Sequence, residues 1–127
     1  MRREVPDPPE GLRVADPREW TRVWARVLAD PSVKLTGFAL LTWADYRTGA
    51  DIRPGIPKLM RVTGIGSKTT ATGALTRIRE WGLVWRYREG NARRKESDEY
   101  RLTFPDDITP IPLMCPRLEP PGECTCG

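Results

Sequence analysis

The stretch Ile56–Val84, IPKLMRVTGIGSKTTATGALTRIREWGLV, decides how the rest of the chain is read. It reads as a short helix, a turn, a longer helix and the entry to a strand. Leu59 and Val62 give the first helix an apolar stripe. Gly64, Ile65 and Gly66 supply the turn, because glycine reaches positive φ without steric cost. Ser67 stands at an N-cap, where its hydroxyl accepts from a free backbone N–H of the next turn. Ala71, Ala74, Leu75 and Ile78 follow at three- and four-residue spacing, which is one face of a helix. Gly82 stops that helix just after its last apolar residues.

Charge gathers around this stretch. The 127 residues carry 21 Lys and Arg against 17 Asp and Glu, a net charge of +4. Between Lys58 and Arg88 stand seven cations (Lys58, Arg61, Lys68, Arg77, Arg79, Arg86 and Arg88) and one acid, Glu80. That window is therefore +6, more than the excess of the whole chain. A concentrated basic window points to a polyanion more strongly than net charge does. The chain has no histidine, which removes His-based acid–base chemistry and His metal ligation. No run of about eighteen apolar residues suggests a transmembrane helix, and MRREVPDPPEGL lacks the apolar core of a signal peptide. A cytoplasmic protein is expected.

Upstream, residues 1–16 hold Pro6, Pro8 and Pro9 among alternating charges and read as a disordered arm. The arm is either a solvated tail or a basic extension (Arg2, Arg3, Arg13) that touches phosphate. Asp16-Pro17 opens a helix, with Asp as cap and Pro at its first position. Trp20, Val23, Trp24, Val27 and Leu28 then form a full amphipathic stripe. Two tryptophans on one face favour the core, or a homodimer through the Trp20/Trp24 helix, over a base-stacking platform. Val33–Tyr46, VKLTGFALLTWADY, reads as a helix apolar over most of its circumference, with Phe38, Ala39, Leu41, Trp43 and Tyr46 buried. Gly37 allows a close helix approach. Arg47–Ala50 is a turn, and Asp51-Ile52-Arg53 is long enough for one short strand.

Downstream, Leu83–Arg88 (LVWRYR) and Asp98–Phe104 (DEYRLTF) alternate apolar and polar residues with period two. The loop between them, Glu89–Ser97, is polar and basic, so the pair reads as a hairpin. Pro105 closes the domain, which spans 17–105. Residues 106–127 carry prolines at 110, 112, 116, 120 and 121 and read as an extended tail. Cys115, Cys124 and Cys126 fall in that tail. Three thiolates without histidine favour free thiols over a zinc site shared between chains or completed by Glu123.

Helix, helix, short strand, helix, turn, helix and hairpin is an order that resembles the winged helix–turn–helix proteins. More narrowly it is similar to small helix–turn–helix proteins of actinobacterial phages, plasmids and other mobile elements. The segments that carry the resemblance are LTGFALLTWADYRTGADIRPG, TGIGSKTT, LTRIREWGLV and DEYRLTFP, within Pro17–Pro105. Met60 stands where that family prefers alanine. Ala71 and Gly73 stand where a β-branched residue and a polar residue are usual. The resemblance implies an α+β fold, mainly α with a small β hairpin, and an extra N-terminal amphipathic helix.

A DNA reading assigns roles to particular residues. A helix N-terminus suits phosphate, and the major groove admits one helix. Ser67, Lys68, Thr69, Thr70 and Thr72 lie in the first turns of the second helix, with Thr76 and Arg77 further along. Lys58 and Arg61 are expected as flanking phosphate clamps, joined by Arg53. Arg93, Arg94 and Lys95 at the hairpin tip are expected on backbone or an adjacent minor groove. The expected partner is double-stranded DNA, and no cofactor or small-molecule ligand is evident. The function expected is a non-enzymatic transcriptional regulator, or a replication or excision accessory of a mobile element. The alternative is a winged-helix protein-interaction module without direct DNA binding. An enzyme is the weakest reading: no paired carboxylates stand out, and GIGSKTT lacks the P-loop spacing.

Overall fold

The computed structural model describes residues 4–119 and Glu123. Four helices stand against a three-stranded antiparallel sheet, an α+β architecture. In chain order these are β1 (Leu12–Val14), α1 (Pro17–Arg26), α2 (Pro31–Leu41), α3 (Gly55–Thr63), α4 (Lys68–Glu80), β2 (Val84–Arg88) and β3 (Glu99–Pro105). The sheet order is β1-β3-β2. Among the described residues no helix is long and apolar enough to cross a membrane.

Local chemistry sets the helix ends. The Asp16 carboxylate accepts from the Arg18 amide at 3.0 Å and caps α1. Ser67 does the same for α4, accepting from the Thr70 amide at 3.3 Å. Gly64 closes α3 with φ of 78°. At the end of α4, the Leu83 amide donates to the Ile78 carbonyl and the Gly82 amide to the Arg79 carbonyl. This double bond pattern requires a left-handed residue, and Gly82 supplies it with φ of 75°.

The core forms where α1, α2 and α4 meet the inner face of the sheet. Trp20 and Trp24 are 1% and 0% exposed, stacked with ring centroids 5.3 Å apart. Each indole N–H finds a backbone acceptor, Trp20 at Leu83 and Trp24 at Lys34. Gly37 lets α2 pass against α1, since a Cβ there would lie 2.0 Å from the Trp24 ring. The expected dimer contact through these indoles therefore lacks exposed ring to build on.

Four expectations are corrected. The helix expected over Val33–Tyr46 ends at Leu41, because Asp45 accepts from the amides of Arg47 and Thr48 and turns the chain. Phe38 and Tyr46, expected in the core, are 41% and 76% exposed. The arm expected over 1–16 contains β1, which pairs with β3 from Leu12↔Pro105 to Val14↔Thr103. Arg13, read as part of a solvated tail or of a phosphate-touching arm, lies 4.7 Å over the Phe104 ring, and Arg2 and Arg3 fall outside the described residues. The tail expected to extend from 106 instead docks on the end of α1. Leu28 donates to the Pro112 carbonyl, Met114 donates to the Arg26 carbonyl, and Ile111 is buried. Cys115 is half-buried; Cys124 and Cys126 lie outside the described residues.

Central position explains β3. Residues 99–104 are all buried, polar ones included. Tyr100 also exchanges two backbone bonds with Ile52, and the Leu102 amide donates to the Gly49 carbonyl. On the other face, Arg101 donates to the carbonyls of Thr48 and Pro6 at 3.0 Å each, and the Thr103 hydroxyl donates to the Gly82 carbonyl at 2.8 Å. Each buried polar group has a partner, as burial demands.

Candidate nucleic-acid interface

The inner face of α4 is built from small and aliphatic residues: Ala71, Ala74, Leu75 and Ile78 are buried. Two alanines let the helix lie close to the core, so its outer face stands as a low surface. Lys68, Thr69, Thr72, Gly73, Thr76, Arg77 and Glu80 line a shallow depression along that face. Nothing lies within 4 Å of the position a Cβ at Gly73 would take. Five residues expected as contacts (Lys68, Thr69, Thr72, Thr76 and Arg77) are thus brought together, with Gly73 in their midst. Glu80 closes one end with opposite charge.

Ser67 and Thr70 are exposed at the start of α4. Their role in the fold is the cap itself, so the Ser67 hydroxyl already has a donor. Lys58 and Arg61 are exposed on α3. Arg93 and Arg94 lie in a 3-10 turn at the hairpin tip, followed by Lys95 with φ of 56°, and all three are exposed. These positions do not line the α4 depression. The Asn91 side chain accepts from the Arg93 amide at 2.9 Å and shapes the tip. Gly90 closes its neck: a Cβ there would lie 2.3 Å from the Glu96 carbonyl oxygen.

The hairpin strands dispose of the other cations differently. Arg86 pairs with Asp98 at 3.3 Å. Arg88 pairs with Glu99, which also accepts from Arg53 at 3.1 Å. Arg53, expected beside Lys58 and Arg61, thus shares Glu99 with Arg88 while its side chain stays exposed. Two of the seven cations in the Lys58–Arg88 window are neutralised by acids that lie outside it in sequence. Five cations remain exposed: Lys58 and Arg61 on α3, and Lys68, Arg77 and Arg79 on α4. The guanidinium of Arg77 sits 5.9 Å from the Trp81 ring centroid.

Asp98 is the latch of the hairpin. It accepts from the Gly90 amide at 2.7 Å, and from Arg86 and the Tyr100 hydroxyl at 3.3 Å each. Burial opposes its ionisation, but the Gly90 amide and Arg86 outweigh that, so its carboxyl stays below the ordinary value. The latch holds the tip beside α4 by joining both strands to the loop between them.

Arg79, another cation of the Lys58–Arg88 window, is also exposed on α4. A helix with a hydroxyl-rich outer face, an open N-terminal turn and flanking cations is chemically suited to an anionic, grooved surface. Comparison with protein-family models, with curated proteins and with solved structures found no match for this chain.

Proposed function

We propose that this chain is a non-enzymatic, winged helix–turn–helix DNA-binding protein. In this reading α3 and α4 form the helix–turn–helix and the β2–β3 hairpin is the wing. The observation that carries the reading is the bare outer face of α4. Its threonines, Gly73 and Lys68 leave room for a base edge, Lys68 and Arg77 line it, and Arg79 is also exposed on α4. Short side chains limit direct base readout, so phosphate contacts from Lys68 and from Arg93 and Arg94 supply most of the affinity. The role as regulator, or as replication or excision accessory of a mobile element, rests on the sequence resemblance.

Fluorescence anisotropy on a random duplex tests this. Affinity should fall steeply between 50 and 200 mM salt, by about tenfold or more for a handful of phosphate contacts. The triple variant Lys68→Ala/Arg93→Ala/Arg94→Ala should bind more weakly and with a shallower salt slope. Arg86→Gln, which removes a paired cation, should leave the slope unchanged. Absence of binding even at low salt refutes the proposal and leaves the protein-interaction reading.

A further inference from the structure

A second concavity, a cleft of about 680 Å³, lies between the start of α3, one flank of α4 and the hairpin. Its floor is apolar: Leu40, Leu59, Leu75 and Tyr100 line it, and all four are buried. Ile56 and Met60 add apolar wall. Such a volume is typical of small-molecule sites, whereas a nucleic-acid backbone, charged along its length, has no apolar body to fill it.

The polar groups at the cleft are unevenly satisfied. Arg86 and Asp98 engage each other, and Tyr100 donates to Asp98. Among the described residues, Lys68 and Arg79 have no carboxylate partner, and both are exposed where the cleft opens. Glu96 is the remaining acid in the lining. The Tyr100 phenol is pushed up to about 12, by burial first and then by Asp98, while Arg79 and Arg86 pull against the rise. Arg79 is therefore within electrostatic reach of the cleft floor. An apolar cavity with two unneutralised cations at its mouth complements a molecule with an apolar body and an anionic end.

We propose that this cleft binds a small amphipathic organic anion, with the apolar body on Ile56, Met60 and the edge of Leu75 and the carboxylate at Arg79 and Lys68. The cleft shares Lys68, Thr72 and Thr76 with the α4 depression, so its test uses the full chain without DNA. Isothermal titration calorimetry with sodium decanoate, kept below its micelle concentration, provides the probe, and 1-decanol is the neutral match. Decanoate should bind once per chain and at least tenfold tighter than decanol. Arg79→Ala/Lys68→Ala should remove that advantage and leave decanol unchanged. Thr76→Trp, which places an indole at the mouth of the cleft, should abolish binding of both. Circular dichroism confirms that each surface variant is folded. No decanoate binding at millimolar concentration, equal affinity for acid and alcohol, or indifference to Thr76→Trp overturns the proposal. Co-sedimentation with phosphatidylglycerol vesicles that Thr76→Trp prevents would also overturn it, in favour of a membrane lipid.

Discussion

Helices α1 and α4 both begin at a side-chain cap and both bury one face, yet they use their large side chains in opposite ways. Helix α1 directs two tryptophans inward and stacks them beneath Gly37. Helix α4 anchors itself with two alanines, a leucine and an isoleucine, and shows the solvent threonines, a glycine and cations. The first is a buttress that holds the helices to the sheet. The second is a shallow surface held at a fixed height above the core. The contrast teaches that a conspicuous aromatic stripe marks support here, and that the face open to a partner is the plain one.

Three measurements can break or sharpen that contrast. The largest effect is expected at the buttress. Trp24→Ala should destabilise the chain by about 3–5 kcal/mol, the usual range for deleting a buried aromatic. Chemical denaturation checks this; a loss under about 1 kcal/mol, small for any buried residue, would dissolve the distinction between the helices. The same indole burial predicts a monomer in sedimentation unless another face associates.

A smaller effect is expected where the hairpin is held beside α4. Asp98→Asn should cost about 1–2 kcal/mol, since it weakens charge-assisted bonds to Arg86 and the loop. Its pH dependence has a definite sign. The carboxyl is held below the ordinary value of 3.8, so the folded state binds this proton less readily than the unfolded one. Its stabilisation is present above pH 3.8 and is lost as pH falls through that value and below. Denaturation midpoints between pH 2.5 and 5 should thus fall less steeply for Asp98→Asn than for the parent chain.

The smallest effect concerns α4 itself. Gly73→Ala should stabilise the helix by about 0.5–1 kcal/mol, because alanine is the better helix former and the site is open. Thermal unfolding should register a rise of a few degrees. A fall would mean that the outer face of α4 is already covered.

Much of this was legible in the sequence where a signal is local. Asp16-Pro17 and Ser67 announced two helix starts, Gly82 one helix end, and alternation the hairpin strands. Pairing partners were not legible. Leu12-Arg13-Val14 is too short to show a period, and its partner strand lies far along the chain. Arg86 and Arg88 look like free charge until Asp98 and Glu99 face them across the hairpin. Phe38 and Tyr46 match their neighbours in apolarity, and only packing decides that they are left outside. Of the contacts expected on α4, Lys68, Thr69, Thr72, Thr76 and Arg77 share one depression, whereas Ser67 and Thr70 do not line it. The apolar cleft draws on α2, α3, α4 and the hairpin, so no single segment could reveal it.

The place of β3 has a consequence for synthesis. It is the last of the three described strands to be made and lies between the other two, with β1 paired to it from Leu12↔Pro105. A ribosome adding about 5–20 residues per second needs roughly 5–20 s to pass from one partner to the other. Through that interval β1 has no ladder, and the surfaces of Leu83 and Val84 lack their cover. Vectorial assembly of this chain is therefore a wait followed by a single closure, in which one late strand sets both edges of the sheet at once.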